Sequence, residues 1–196
     1  TPWVSPGTYT VTLTAGGKSY SQPITVSQDP RVDTPAAVMQ QVYALTDRMY
    51  FGALEAREAA TAVAAMREQA AKIQATGAAA QALAAFVKKA SALEGQPPAA
   101  GGGGRGFAGG RGGGSGRGGG GAPSADTLWA VSALLAGQMN AMQAADAAPT
   151  ANTLAAVTSA LGAADDVLGR WGAFTSDDLP ALNATLKSAG LPTIGR

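Results

Sequence analysis

The feature that most constrains this chain is a stripe of apolar and small residues between Thr34 and Gly77. Its members are spaced alternately four and three residues apart, as in the seam of a long α-helix within a bundle or coiled coil. They are Val38, Val42, Leu45, Met49, Gly52, Ala56, Ala59, Val63, Met66, Ala70 and Ile73. Thr34 and Pro35 are typical of a helix start and Gly77 of a stop, so the stripe predicts a rod roughly 60 Å long.

A rod of this kind cannot bury its stripe alone, and three later helices with the same spacing, followed by a last short helix, are predicted to cover it. The first should turn back at Gly77 and end near Gly95, and Ser176 should cap the last. Their stripes are Ala79, Leu83, Phe86, Ala90 and Leu93; Leu128, Val131, Leu135, Gln138, Met142 and Ala145; Leu154, Val157, Leu161, Ala164, Leu168 and Trp171; and Leu179, Leu182 and Leu186. We therefore predict a mainly α fold, an antiparallel four-helix bundle.

The first part of the chain has the period-two alternation of β-strands. Tyr9, Val11 and Leu13 alternate with threonines, and a Gly-Gly turn then leads into a second strand that contains Pro23. A two-stranded hairpin is marginally stable by itself, so these strands are expected to pair with more sheet. We interpret the unit as a partial immunoglobulin-like sandwich and predict that Tyr9, Val11 and Leu13 bind a partner.

A glycine-rich tract separates the two helical halves. Residues 101–121 contain 15 glycines and three arginines, with a single aromatic residue. Fixing so much glycine is entropically costly, which favours a flexible crossover between helices. An arm laid over a protein partner and an RGG-like nucleic-acid segment are the alternatives. In the arm interpretation the partner-binding residues are Arg105, Phe107, Arg111 and Arg117.

The composition removes several classes of chemistry. The chain has no cysteine and no histidine, which excludes thiolate and Ser-His-Asp catalysis and His-ligated zinc or haem within it. The formal net charge is +1, so nucleic acid is not an expected partner. Asp165-Asp166 and Asp177-Asp178 are adjacent in sequence and do not converge on one ion, and we interpret them as solvated or capping residues. We predict no enzyme activity, no cofactor and no metal.

The same patterns predict four parts. Residues 1–32 form the hairpin unit, residues 33–96 a long and a short helix, residues 97–124 a Gly/Arg-rich linker or arm, and residues 125–196 two bundle helices with a short C-terminal helix. No run of about 18 apolar residues is present, so no membrane span of its own is expected. No signal sequence lies in the chain, which we interpret as a mature or processed piece of a longer protein.

Two stretches resemble a known family. They are Pro6–Leu13 with its continuation to Val26 and Val32, and Asp178–Asn183 with Ala189–Pro192. Together they resemble the C-terminal region of secreted bacterial BNR-repeat, sortilin-like β-propeller proteins, in which an immunoglobulin-like strand region and a helical tail follow the propeller. No Asp-box of the Ser-x-Asp-x-Gly-x-Thr-Trp type occurs here, so a propeller with its glycosidase site would lie outside this chain. The resemblance implies export to the periplasm or cell surface.

Three functional hypotheses follow. The first is a non-catalytic, exported scaffold that binds larger protein partners, for example a periplasmic accessory subunit of a respiratory or photosynthetic membrane complex. The second is the accessory tail of a propeller enzyme that acts on glycans. The third is an RGG-like nucleic-acid binder.

Overall fold

The computed structural model describes residues 1–97 and 125–195. It is mainly helical, with 64% of these residues in helices and an antiparallel hairpin at the N-terminus, which confirms the predicted fold class at this level. The elements are β1 (Gly7–Ala15), β2 (Lys18–Val26), α1 (Ala36–Ala71), α2 (Gly77–Glu94), α3 (Leu128–Met142), α4 (Ala151–Ala173) and α5 (Leu179–Ser188). A π-helical turn, Phe174–Asp178, joins α4 to α5.

Helix α1 is the element against which the others pack. It contacts α2, α3 and α4, while α2 also contacts α5. The predicted stripe is buried at Met49, Ala56, Ala59, Val63, Met66 and Ala70. Its small residues let the helices approach closely: a Cβ added at Gly52 would lie 3.0 Å from Cδ1 of Leu135 on α3. The hydroxyl of Ser132 also donates to the carbonyl of Ala53 at 2.8 Å, which ties α3 to α1.

The predicted ends of the long helix are wrong. Helix α1 begins at Ala36 and ends at Ala71, which makes it about 54 Å long. Thr34 does not cap it, because its hydroxyl donates instead to the carbonyl of Asp146 at 2.8 Å. Gly77 does not end α1 either. It opens α2 with a φ of 57°, a backbone conformation that glycine adopts without strain.

The predicted break before the last helix is also wrong. The backbone stays helical from α4 through the π turn into α5, and the Ser176 hydroxyl donates to the neighbouring Asp177 carboxylate at 2.8 Å. The wider turn adds one residue to the helical spacing. As a result the buried stripe steps by five from Phe174 to Leu179 and then resumes its usual spacing, which keeps α5 packed on α2.

The segment after α5 returns to the long helix. Gly190, with a φ of 69°, ends α5 in a Schellman motif in which the N–H of Leu191 donates to the carbonyl of Leu186 at 2.9 Å. Ile194 is buried, and the side-chain amide of Gln69 on α1 bonds both the N–H and the carbonyl of Gly195. The short helix is therefore held at both ends.

Candidate interaction surface

The hairpin turn fixes the register of the two strands. Gly16 and Gly17 have φ values of 57° and 76°, the left-handed conformation that a type I′ turn requires at both central residues. The strands pair as Ala15 with Lys18 next to the turn, and onward to Gly7 with Val26. A one-residue slip would exchange the two faces, so this register decides which side chains lie together.

One face of the hairpin is apolar and exposed. Tyr9, Val11 and Leu13 lie on it as predicted, together with Tyr20 and Ile24 from β2, which sequence reasoning did not select. These five side chains are 37% to 62% exposed, and neither strand contains a buried residue. We call these five residues the apolar face. The two-residue Gly-Gly turn sets the register that pairs Tyr20 with Leu13. That register is the sequence signal that could have placed Tyr20 and Ile24 on the same face as Leu13.

The opposite face carries hydroxyl groups. Thr12 and Ser21 lie across from each other with their hydroxyl oxygens 3.0 Å apart, and those of Thr14 and Ser19 are 3.1 Å apart. These bonds give the hairpin a stable polar side that water solvates. The contrast between the faces means that only one of them gains free energy when a protein surface covers it.

The two edges of the hairpin differ. The pair that closes the turn, Ala15 with Lys18, is hydrogen-bonded, and in an antiparallel ladder such pairs alternate with pairs whose N–H and C=O groups point outward. The outward-pointing residues of β1 are therefore Thr8, Thr10, Thr12 and Thr14. On β2 the outward set includes Pro23, opposite Thr10, which has no N–H. Edge β1 can accept a further strand along its length, whereas edge β2 is interrupted.

The foot of the hairpin is held by hydrogen bonds to the loops that flank it. The Tyr9 hydroxyl donates to the carbonyl of Ser5 at 2.6 Å, and the Gln28 amide donates to the carbonyls of Val32 and Thr34. A shallow cavity of about 180 Å³ lies between the foot, the start of α1 and the end of α3. In the loop after β2, Arg31 donates to Asp29 from its side chain and its backbone and lowers the pKa of the Asp29 carboxyl. The loops at the foot are thus held by side-chain hydrogen bonds and lie next to α1 and α3.

The acidic pairs are engaged in helix contacts. Asp165 forms an ion pair with Arg48 of α1 at 2.8 Å, and Asp178 forms one with Lys89 of α2 at 2.6 Å. Across residues 1–97 and 125–195, no three acidic side chains cluster in a way that would hold a metal ion. Within the same ranges, no helix combines the length and hydrophobicity needed to cross a membrane.

The other predicted partner-binding residues, Arg105, Phe107, Arg111 and Arg117, lie outside the described residues, as does most of the predicted linker at residues 97–124. The arm therefore stays a prediction. Comparison with protein families, with curated proteins and with solved structures finds no match to this chain. The surfaces of the chain itself are therefore the basis for a functional proposal.

Proposed function

We propose that this chain is a non-catalytic interaction module that binds and stabilises larger protein partners through its hairpin. The observation that carries the proposal is the apolar face, whose five large side chains stand in solvent on a strand pair with no buried residue. An exposed apolar patch marks a binding site on many proteins, and in this one Gln22, opposite Val11, is the polar residue among the apolar ones. The foot of the hairpin lies next to α1 and the end of α3, and a partner covers the face.

The helical part acts as a rigid base in this proposal. We interpret it as an antiparallel four-helix bundle, an interpretation supported by the contacts of α1 with α2, α3 and α4. We interpret the hairpin as a partial immunoglobulin-like unit, because its two strands expose both faces and lack the sheet that such a unit packs against. Partner strands or partner side chains would complete it.

The location and type of assembly belong to the same proposal. We place the module in the periplasm or at the cell surface, as an accessory subunit of a respiratory or photosynthetic membrane complex. The resemblance of its strand and tail segments to secreted BNR-repeat proteins supports the location and the accessory role. The accessory tail of a glycan-acting propeller enzyme is the competing interpretation of that resemblance.

Capture of partners from a detergent extract of the source cells tests the proposal. The variant Leu13→Thr with Tyr20→Thr removes one cross-strand pair from the apolar face. We expect it to bind the captured partner at least about 30-fold more weakly, as for the loss of a central contact worth about 2 kcal/mol. The measurement is the amount of each membrane-complex subunit recovered, by quantitative mass spectrometry.

The matched control is Thr14→Ala with Ser19→Ala, the adjacent pair on the polar face. It changes the same number of residues and should retain the partner. Equal recovery with the apolar-face variant and with the wild-type chain would contradict the proposal. Recovery of nothing but a longer propeller-containing chain would favour the enzyme-tail interpretation instead.

A further inference from the structure

The strand edges suggest a second interaction that is independent of what covers the apolar face. Edge β1 offers the outward N–H and C=O groups of Thr8, Thr10, Thr12 and Thr14 without proline or charge. Uncharged edges of this length are templates for pairing with another strand. Edge β2 is blocked by Pro23, so each chain has one open edge in the part that the structure describes. Pairing through such an edge ends at two copies and does not extend into a fibre.

Strand β1 is also complementary to itself. Its sequence, GTYTVTLTA, has the same polar and apolar pattern in both directions about Val11. Antiparallel pairing centred on Val11 places Thr10 opposite Thr12, Tyr9 opposite Leu13 and Thr8 opposite Thr14. Threonine pairs and aromatic–aliphatic pairs are both favourable across strands. With no charge on the strand, no like-charge repulsion opposes the pairing.

The hydrogen-bond pattern fits the same register. The outward-pointing threonines face one another and form about eight interchain hydrogen bonds, because each such pair exchanges two. Val11 then faces Val11 of the second copy as the pair without hydrogen bonds, on the two-fold axis. A register shifted by one residue would instead bring outward-pointing groups opposite inward-pointing ones.

We propose that β1 pairs antiparallel with β1 of a second copy of this chain, on a two-fold axis at Val11. The result is a four-stranded sheet in the order β2-β1-β1-β2, with both apolar faces on one side. This doubles the surface that the proposed function assigns to a partner, but the pairing itself requires no partner. One strand pair makes a small interface, so the dimer dissociates on dilution.

Sedimentation velocity of the purified full chain over a concentration series tests the proposal. We expect a reversible monomer–dimer equilibrium. Thr12→Pro removes an outward N–H from the open edge and should raise the dissociation constant at least about tenfold. Ser21→Pro, the residue opposite, removes an outward N–H from the blocked edge and loses the same hydroxyl contact, and it should dimerise like the wild-type chain.

Proline at Val11 would be a poor test, because Val11 bonds inward to Gln22 and its loss would disrupt the hairpin itself. A cysteine there tests the register in a protein that has no other cysteine. Facing residues of a pair without hydrogen bonds have Cβ atoms about 5 Å apart, close to the span of a disulfide. With oxidised glutathione as the oxidant, Val11→Cys should therefore form a disulfide-linked dimer. It should do so faster than the same variant unfolded in denaturant.

Gln22→Cys is the control, since it lies across from Val11 on the same face but about 14 Å from its equivalent, three strand spacings away. It should form no disulfide-linked dimer under the same conditions, because the two cysteines lie too far apart to bond. Monomeric wild-type protein at every concentration, equal weakening by Thr12→Pro and Ser21→Pro, or equal cross-linking of the two cysteines would each overturn the proposal. The proposal would also be overturned if the β1 amides became protected from hydrogen exchange when a foreign strand peptide was added but not when the concentration of the chain itself was raised. None of these results depends on the partner capture described above.

Discussion

Phe174→Ala is expected to lower the free energy of unfolding by about 4 kcal/mol, the middle of the range for a fully buried phenylalanine. Phe174 is 3% exposed and lies in the π turn between α4 and α5. Its ring stacks on Phe86 of α2 with centroids 4.7 Å apart and on Trp171 of α4 at 6.3 Å. Alanine would leave a cavity and remove both ring contacts, so α5 would lose much of its attachment to α2.

Urea unfolding followed by circular dichroism measures this loss. For a chain of this size the melting temperature should fall by roughly 8 to 16 °C. Phe51→Ala is the matched control, because Phe51 is 58% exposed and its ring contacts Tyr50 on the same helix. We expect it to change stability by less than about 1 kcal/mol. Similar losses for the two variants would contradict the burial of Phe174 against Phe86 and Trp171.

Gly95→Ala and Gly137→Ala are expected to have opposite effects. Gly95 ends α2 with a φ of 75°, and a Cβ there would lie 2.2 Å from Oγ1 and 2.6 Å from Cβ of Thr127. Thr127 caps α3 by accepting a bond from the N–H of Ala130. Left-handed strain in alanine and displacement of the cap together should cost about 3 kcal/mol.

Gly137 lies inside α3, where a Cβ would meet nothing within 4 Å. Alanine there reduces the entropy lost on folding and should stabilise the protein by about 0.5 to 1 kcal/mol. The same urea measurement reports both variants. Unchanged or increased stability of Gly95→Ala would contradict the contact between the end of α2 and the start of α3. Destabilisation by Gly137→Ala would contradict the open surroundings of that position.

The sequence predicted the central part of the helical stripes, since burial along a helix follows from spacing. Towards the ends the prediction fails: Val42 and Ile73 of the α1 stripe are only partly buried, and Ala145 is exposed beyond the end of α3 at Met142. All five stripe residues of the second helix, from Ala79 to Leu93, are buried. The helix ends were predicted poorly, because they depend on distant contacts. The Thr34 hydroxyl bonds a carbonyl more than a hundred residues away, and no local capping rule includes that competitor. The π turn at Phe174 was missed for a related reason, since the five-residue step reflects packing against α2.

The candidate surface was predicted in part. Alternation alone placed Tyr9, Val11 and Leu13 on one face, and the structure brings them together with Tyr20 and Ile24. The difference between the two strand edges could not be predicted from composition. It depends on the register. The register places Pro23, which has no N–H, at an outward-pointing position of β2, and it turns the backbone N–H and C=O of Val11 inward to β2.

Amide hydrogen exchange tests most directly the claim that the hairpin is the interacting part of this chain, because it reports whether the open edge of β1 becomes covered in the assembly. The rates of Thr8, Thr10, Thr12 and Thr14 would be compared between the dilute isolated chain and the assembly purified from its cells. We predict that these outward-pointing amides exchange rapidly in the isolated chain and become protected in the assembly, while those of Ser19 and Ser21 on edge β2 stay fast. Protection gained on the helices alone, with all hairpin-edge amides unchanged, would contradict the account.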